Sequence, residues 1–131
     1  MLSERYGHNF TTTNEETAKK IFEFFANNTN VEMSLQKLER GKEVIFDLYT
    51  SHDNGQVKGR SDLNTINFDA GWKIIEDIHN HPDDNPNPSE YESNMGKAGD
   101  KQYARDVLRT CPNAIFSVYT KSHGYTPFKP N

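Results

Sequence analysis

The stretch that most constrains this chain is the isoleucine-rich run Trp72 to His79, preceded by Gly71 and followed by Pro82. A short apolar run bounded this way reads as a strand. It ends in His79-Asn80-His81-Pro82. Alternate side chains of an extended backbone point the same way, so both imidazoles can reach one metal ion. A downstream carboxylate would complete three ligands and leave a fourth position open for water, the pattern of a catalytic rather than a structural zinc. Imidazoles with one carboxylate suit zinc better than magnesium or calcium, which prefer all-oxygen shells.

The remaining pattern supplies a scaffold for such a site. Thr13-Asn14-Glu15-Glu16 has the spacing of a capping box. Behind it Ala18, Ile21, Phe22 and Phe25 recur on one helical face, and the helix should stop near Asn27-Asn28. Val31, Met33 and Leu35 alternate with Glu32, Ser34 and Gln36, which predicts a half-buried strand. Glu43 to Thr50 predicts a second strand. Asp53-Asn54-Gly55 signals a turn into a weakly patterned partner strand, Gln56 to Gly59. From Pro82 to Gly99 the prolines, glycines, Asp and Asn predict a long loop. Asp100 stands at a helix N-cap position ahead of Tyr103, Ala104, Val107 and Leu108. Ala114 to Thr120 is a strand, turned by Ser122-His123-Gly124 toward a short one around Tyr125 to Phe128. The expected fold class is α/β, a mixed β-sheet packed with helices. It forms a single domain, residues 14–131, after a polar N-terminal arm, residues 1–13.

Composition excludes several classes. At 131 residues the chain fits one domain, and although only 33% is hydrophobic, the 11% aromatic content falls in periodic segments and argues for a folded core. A net charge of -4, with no basic stripe, leaves no electrostatic footprint for nucleic acid. Cys111 is the only cysteine, which rules out an intrachain disulfide and a Cys-based zinc site and suits a buried small hydrophobe. No apolar run approaches ~20 residues and no signal-peptide core is present, so a soluble protein or a soluble piece of a larger one is expected. His8, His52 and His123 read as surface histidines, and Asp83 and Asp84 as polar loop residues.

His-x-His-Pro, then Ser89, then an acid at a helix start resembles the JAB/MPN (JAMM) zinc metallopeptidases, whose fold is of the cytidine-deaminase-like kind. The nearest likeness is to the JAB-like toxin domains of Rhs-type bacterial polymorphic toxins. It runs through Asn30-Val31-Glu32, His79-Asn80-His81-Pro82, Pro88-Ser89, Gly99-Asp100 and Gly124-Tyr125-Thr126-Pro127-Phe128. The resemblance implies that His79, His81 and Asp100 hold Zn2+, that Glu32 is the general base, and that Ser89 helps to hold the oxyanion. The commonest spacing in that family puts the acid three residues after the serine, at Glu92 here. Asp100 is preferred because it starts the helix, with Glu92 as the alternative acid. Asn80 departs from the Ser or Thr that many members carry.

What the resemblance implies is a metallopeptidase or isopeptidase, an effector delivered into a target cell as part of a larger toxin. Its substrate would be a protein or ubiquitin-like protein, and its partner a cognate immunity protein. The alternative is a catalytically inactive MPN-type protein-binding module, and a third reading is another metal-dependent hydrolase. The literal string His-Asn-His is not the signature of HNH nucleases, whose named residues are spread along a ββα unit.

Overall fold

Asn14 starts the first helix, because its side chain accepts from the Thr17 amide at 2.9 Å. Asparagine ranks with the strongest N-caps, and the cap therefore sits one residue past the Thr13 that the capping-box spacing suggests. The computed structural model of the chain describes residues 8–51, 59–89, 91–92 and 97–130. Numbered along the chain, the described elements are β1 (His8–Thr12), α1 (Glu15–Asn28), β2 (Ser34–Arg40), β3 (Glu43–Thr50), α2 (Arg60–Asp69) and β4 (Lys73–Asn80). Beyond them come β5 (Tyr91–Glu92), β6 (Lys97–Ala98), α3 (Asp100–Thr110), β7 (Ile115–Thr120) and β8 (Gly124–Phe128). The domain is α/β, a mixed six-stranded sheet in the order β1-β3-β2-β4-β7-β8 with helices packed on it. No described helix is long and apolar enough to cross a membrane.

Among the described strands only β4 and β7 pair in parallel. Parallel neighbours need a crossover, and here it carries α3. Their C-terminal ends therefore lie side by side, with the start of α3 returning toward them. Gly41, at φ 61, makes the tight turn from β2 to β3.

Helices cover both faces of the sheet. Ala18 and Phe22 of α1 are wholly buried against Met33, Leu35, Phe46, Leu48, Ile78 and Tyr119. Ile21, expected on the same inward face, sits at its rim and is 39% exposed. On the opposite face α3 packs Tyr103, Ala104 and Val107 against Leu38, Ile74 and Phe116, with Cys111 buried beside them. The register of β2 on β4 shifts between Lys37, opposite Glu76, and Leu38, opposite Ile74. Ile75 is thus the extra residue of a bulge, which lets Ile74 face α3 while Ile78 faces α1.

This two-sided cover corrects the half-buried strand. β2 begins at Ser34, and its polar side chains Ser34 and Gln36 are as buried as Leu35 and Leu38. The residues read as an arm contribute an edge strand, since His8–Thr12 pair with β3 from His8 opposite Thr50 to Thr12 opposite Phe46. The Asp53-Asn54-Gly55 turn and positions 56–58 lie outside the described residues. Gly59, read as a strand end, is instead the left-handed N-cap of α2 at φ 86. No helix was expected at α2, whose buried residues are Arg60, Leu63 and Asn64. A mostly polar inward face has no apolar period to detect.

One buried acid on β3 yields a test. Asp47 is 2% exposed and accepts from the Asn9 side chain at 3.2 Å. Burial pushes its pKa from 3.8 up to about 6, against the opposing effect of Asn9. The folded value is the higher one, so the stability Asp47 contributes is complete below about pH 3.8 and is lost as pH rises through about 6. Asp47→Asn keeps an acceptor for Asn9 and removes the buried charge. It should raise the unfolding free energy by about 1–3 kcal/mol near neutral pH and change it little at acid pH, as read by urea denaturation. An equal gain at both would show that the charge is not the cause.

Candidate metal centre

β4 carries its last residues past the edge of the apolar core. His79 pairs with Ser34 of β2 on one side and Val118 of β7 on the other, and is buried. The ladder to β7 continues by one bond, from His81 N–H to the Tyr119 carbonyl at 3.0 Å. Both imidazoles lie on the α3 side, as the extended geometry requires. Their Nε2 atoms are 3.0 Å apart.

Asp100, the first residue of α3, closes the group. Its Oδ1 lies 2.9 Å from His79 Nε2 and its Oδ2 lies 2.9 Å from His81 Nε2. The helix N-cap is Gly99, one residue before the expected position, so Asp100 is inside the first turn. Ser89 supplies the missing cap from outside the helix: its Oγ accepts from Asp100 N–H at 2.9 Å, while its own N–H donates to Asp100 Oδ2 at 2.8 Å. This reciprocal pair holds the carboxylate in place.

The donor set fits a small cation. The ligand atoms of His79, His81 and Asp100 all lie within 4.8 Å of one another. Spacings of 2.9–3.0 Å approach the roughly 3.3 Å edge of a tetrahedron with metal–nitrogen bonds of about 2.0 Å. His81 Nδ1 faces the Asn85 carbonyl at 2.8 Å. A carbonyl can only accept, so Nδ1 carries a hydrogen and Nε2 is the nitrogen left to face Asp100 or a metal. Burial opposes charge on His81, but the hydrogen bond and charge of Asp100 outweigh it and lift the pKa to about 9. Burial likewise would raise Asp100, yet the two histidines and the Ser89 amide hold it well below the usual carboxylate range. Three acceptors gathered so closely call for a positive charge among them, and a metal would replace the His81 proton.

Glu32 is buried just before β2. Burial raises its pKa, against the lowering effect of His79, His81 and Arg60. Of the sequence-predicted residues, His79, His81 and Asp100 therefore touch one another, Ser89 touches Asp100, and Glu32 lies within electrostatic reach of the first three. The backbone of Glu92 pairs with Lys97 in the β5–β6 ladder, and its side chain lies outside what the structure describes. His123 is exposed in the β7–β8 turn, bonded to Thr120. A cavity of about 270 Å³ borders His81, between the end of α1 and that turn.

Sequence reasoning missed the buried polar group beneath the site. Asp77, two residues before His79, accepts from Tyr103 Oη at 2.7 Å and Gln36 Nε2 at 3.0 Å. Its Oδ1 lies 3.5 Å from Arg60 Nη1, and the guanidinium sits 3.6 Å above the Tyr103 ring. Asn64 joins the group through Gln36 at 2.8 Å and Tyr103 at 2.8 Å. A charged residue inside the Ile74-Ile78 run was the available signal.

Because Ser89 caps α3, its loss has a structural cost separate from chemistry. Ser89→Ala should lower the stability of the metal-free protein by about 1 kcal/mol, measured by urea unfolding. An unchanged midpoint would mean that the cap contributes nothing.

No curated protein matches the chain. The family described as JAB-like toxin 1 matches residues 10–105, from β1 into the middle of α3 and across all five candidate residues. That covers well over half of the sequence, and the chain belongs to the JAB-like toxin 1 family.

Proposed function

We propose that this toxin domain is a zinc-dependent peptidase or isopeptidase that hydrolyses a protein amide bond. The observation that carries the reading is the convergence of His79 Nε2, His81 Nε2 and the Asp100 carboxylate at the C-terminal end of β4. These three would hold the metal, with Asp100 rather than Glu92 as the acid. When bound, zinc supplies a Lewis acid that brings the pKa of water near neutrality and polarises a carbonyl.

The chain's own residues do the rest. Glu32, with its pKa raised by burial, takes a proton from the attacking water and passes it to the leaving amine. Ser89 Oγ accepts from the Asp100 amide, which leaves its hydroxyl hydrogen free to donate to the developing oxyanion. As a toxin domain the chain would act inside a target cell after delivery, on a protein or ubiquitin-like substrate, and a cognate immunity protein would restrain it. The net charge of -4 speaks against a nucleic-acid substrate.

The test begins with elemental analysis of the purified protein, where about one zinc per chain is expected. His81→Ala should lose that zinc and all proteolysis. Glu32→Gln should keep the zinc and lose at least about 100-fold in cleavage rate. A His81→Ala protein with unchanged zinc and unchanged cleavage would sink the reading.

A further inference from the structure

Asn80 stands between the two histidines, and its side chain leaves the opposite side of the strand. It is 1% exposed, and both ends of its amide are engaged. Oδ1 accepts from the Met33 amide at 2.6 Å, and Nδ2 donates to the Val31 carbonyl at 3.1 Å. The Asn80 backbone N–H adds a bond to the Met33 carbonyl at 3.3 Å. Val31 and Met33 flank Glu32, so one side chain brackets that residue on both sides. From the other neighbouring strand, Thr50 Oγ1 donates to the Glu32 carbonyl at 2.7 Å.

These bonds lie just outside the regular ladder. β2 begins at Ser34, and Val31 to Met33 are held beyond it by side chains. A bracket of this kind needs a planar group that donates at one end and accepts at the other, which an amide supplies and a single hydroxyl does not. The tripeptide that presents two imidazoles on one face thus fixes, through its middle residue, the backbone on both sides of Glu32, whose carboxyl lies within electrostatic reach of both imidazoles.

We propose that Asn80 is a positioning residue that sets Glu32 against the metal centre, coupling the base to the His79–His81 strand without touching the metal. The inference rests on the peptidase reading in that it takes Glu32 as the base. Asn80 acts through the backbone, so its removal should leave the ligands in place and misplace the carboxylate.

The experiment compares the zinc-loaded wild type with Asn80→Ala and Asn80→Ser. In Asn80→Ala, zinc affinity by chelator competition should stay within about threefold of wild type. Hydrogen exchange at the Met33 amide should accelerate at least about tenfold. The kcat should fall about 10–100-fold with KM little changed. Adding Asn80→Ala to Glu32→Gln should cost nothing further, because the two act as one unit. Asn80→Ser should fall between wild type and Asn80→Ala. Wild-type kcat in a folded, zinc-loaded Asn80→Ala protein would overturn the proposal, as would loss of zinc in step with activity. If the wild type binds zinc but cleaves nothing, the peptidase reading fails, and Met33 exchange alone decides: acceleration supports the bracket and an unchanged rate overturns it.

Discussion

A buried carboxylate in the middle of β4 is what the rest of this structure is arranged around. Asp77 is 1% exposed, and a carboxylate so far from water costs several kcal/mol unless donors surround it. Gln36 on β2 and Tyr103 on α3 donate to it, and Arg60 on α2 places its positive charge 3.5 Å from the carboxylate. Satisfying Asp77 therefore docks both helices of that face on the sheet. It also fixes the azimuth of α3, because Tyr103 lies one turn after Asp100. The geometry of the His79–His81–Asp100 group at the end of β4 depends on this deeper polar contact.

Around the second histidine the order is equally local. Asp84 adopts a left-handed backbone, φ 65, and its amide donates to the His81 carbonyl. Its carboxylate accepts from the Ser122 amide at 3.0 Å, tying the loop to the β7–β8 turn. The resulting turn brings the Asn85 carbonyl onto His81 Nδ1. Read in sequence as a polar loop residue, Asp84 thus shapes the loop that chooses which imidazole nitrogen faces the centre.

Much of this was legible from residue order, where apolar periodicity was strong. α1, β3, β4, α3 and β7 follow from it with boundaries shifted by a residue or two, because each buries a regular apolar stripe. α2 was invisible, since it turns Arg60 and Asn64 inward alongside Leu63 and a polar stripe resembles a loop. The buried polar face of β2 was misread for the same reason: alternation with apolar neighbours looks the same whether the polar side meets water or a second layer of helices. At the centre, His79 and His81 could be recognised by their spacing. Glu32 and Ser89 could be chosen only by resemblance, because contacts made across the fold leave no mark on local pattern. The bracket by Asn80 belongs to that second kind.

The reciprocal bonds between Ser89 and Asp100 carry one more consequence. They join two residues that flank positions 90–99, and they close that excursion at its base as a clasp closes a loop of cord. The position of the acid is then set by the clasp and by the docking of α3, while the length of chain between the two residues drops out as a variable. A motif defined by counting residues from serine to acid is for this reason a poor guide to the geometry it stands for. The number of residues between Ser89 and Asp100 can change while His79, His81 and Asp100 keep their positions. That insulation separates the geometry of the His79–His81–Asp100 group from the length of chain that joins Ser89 to Asp100.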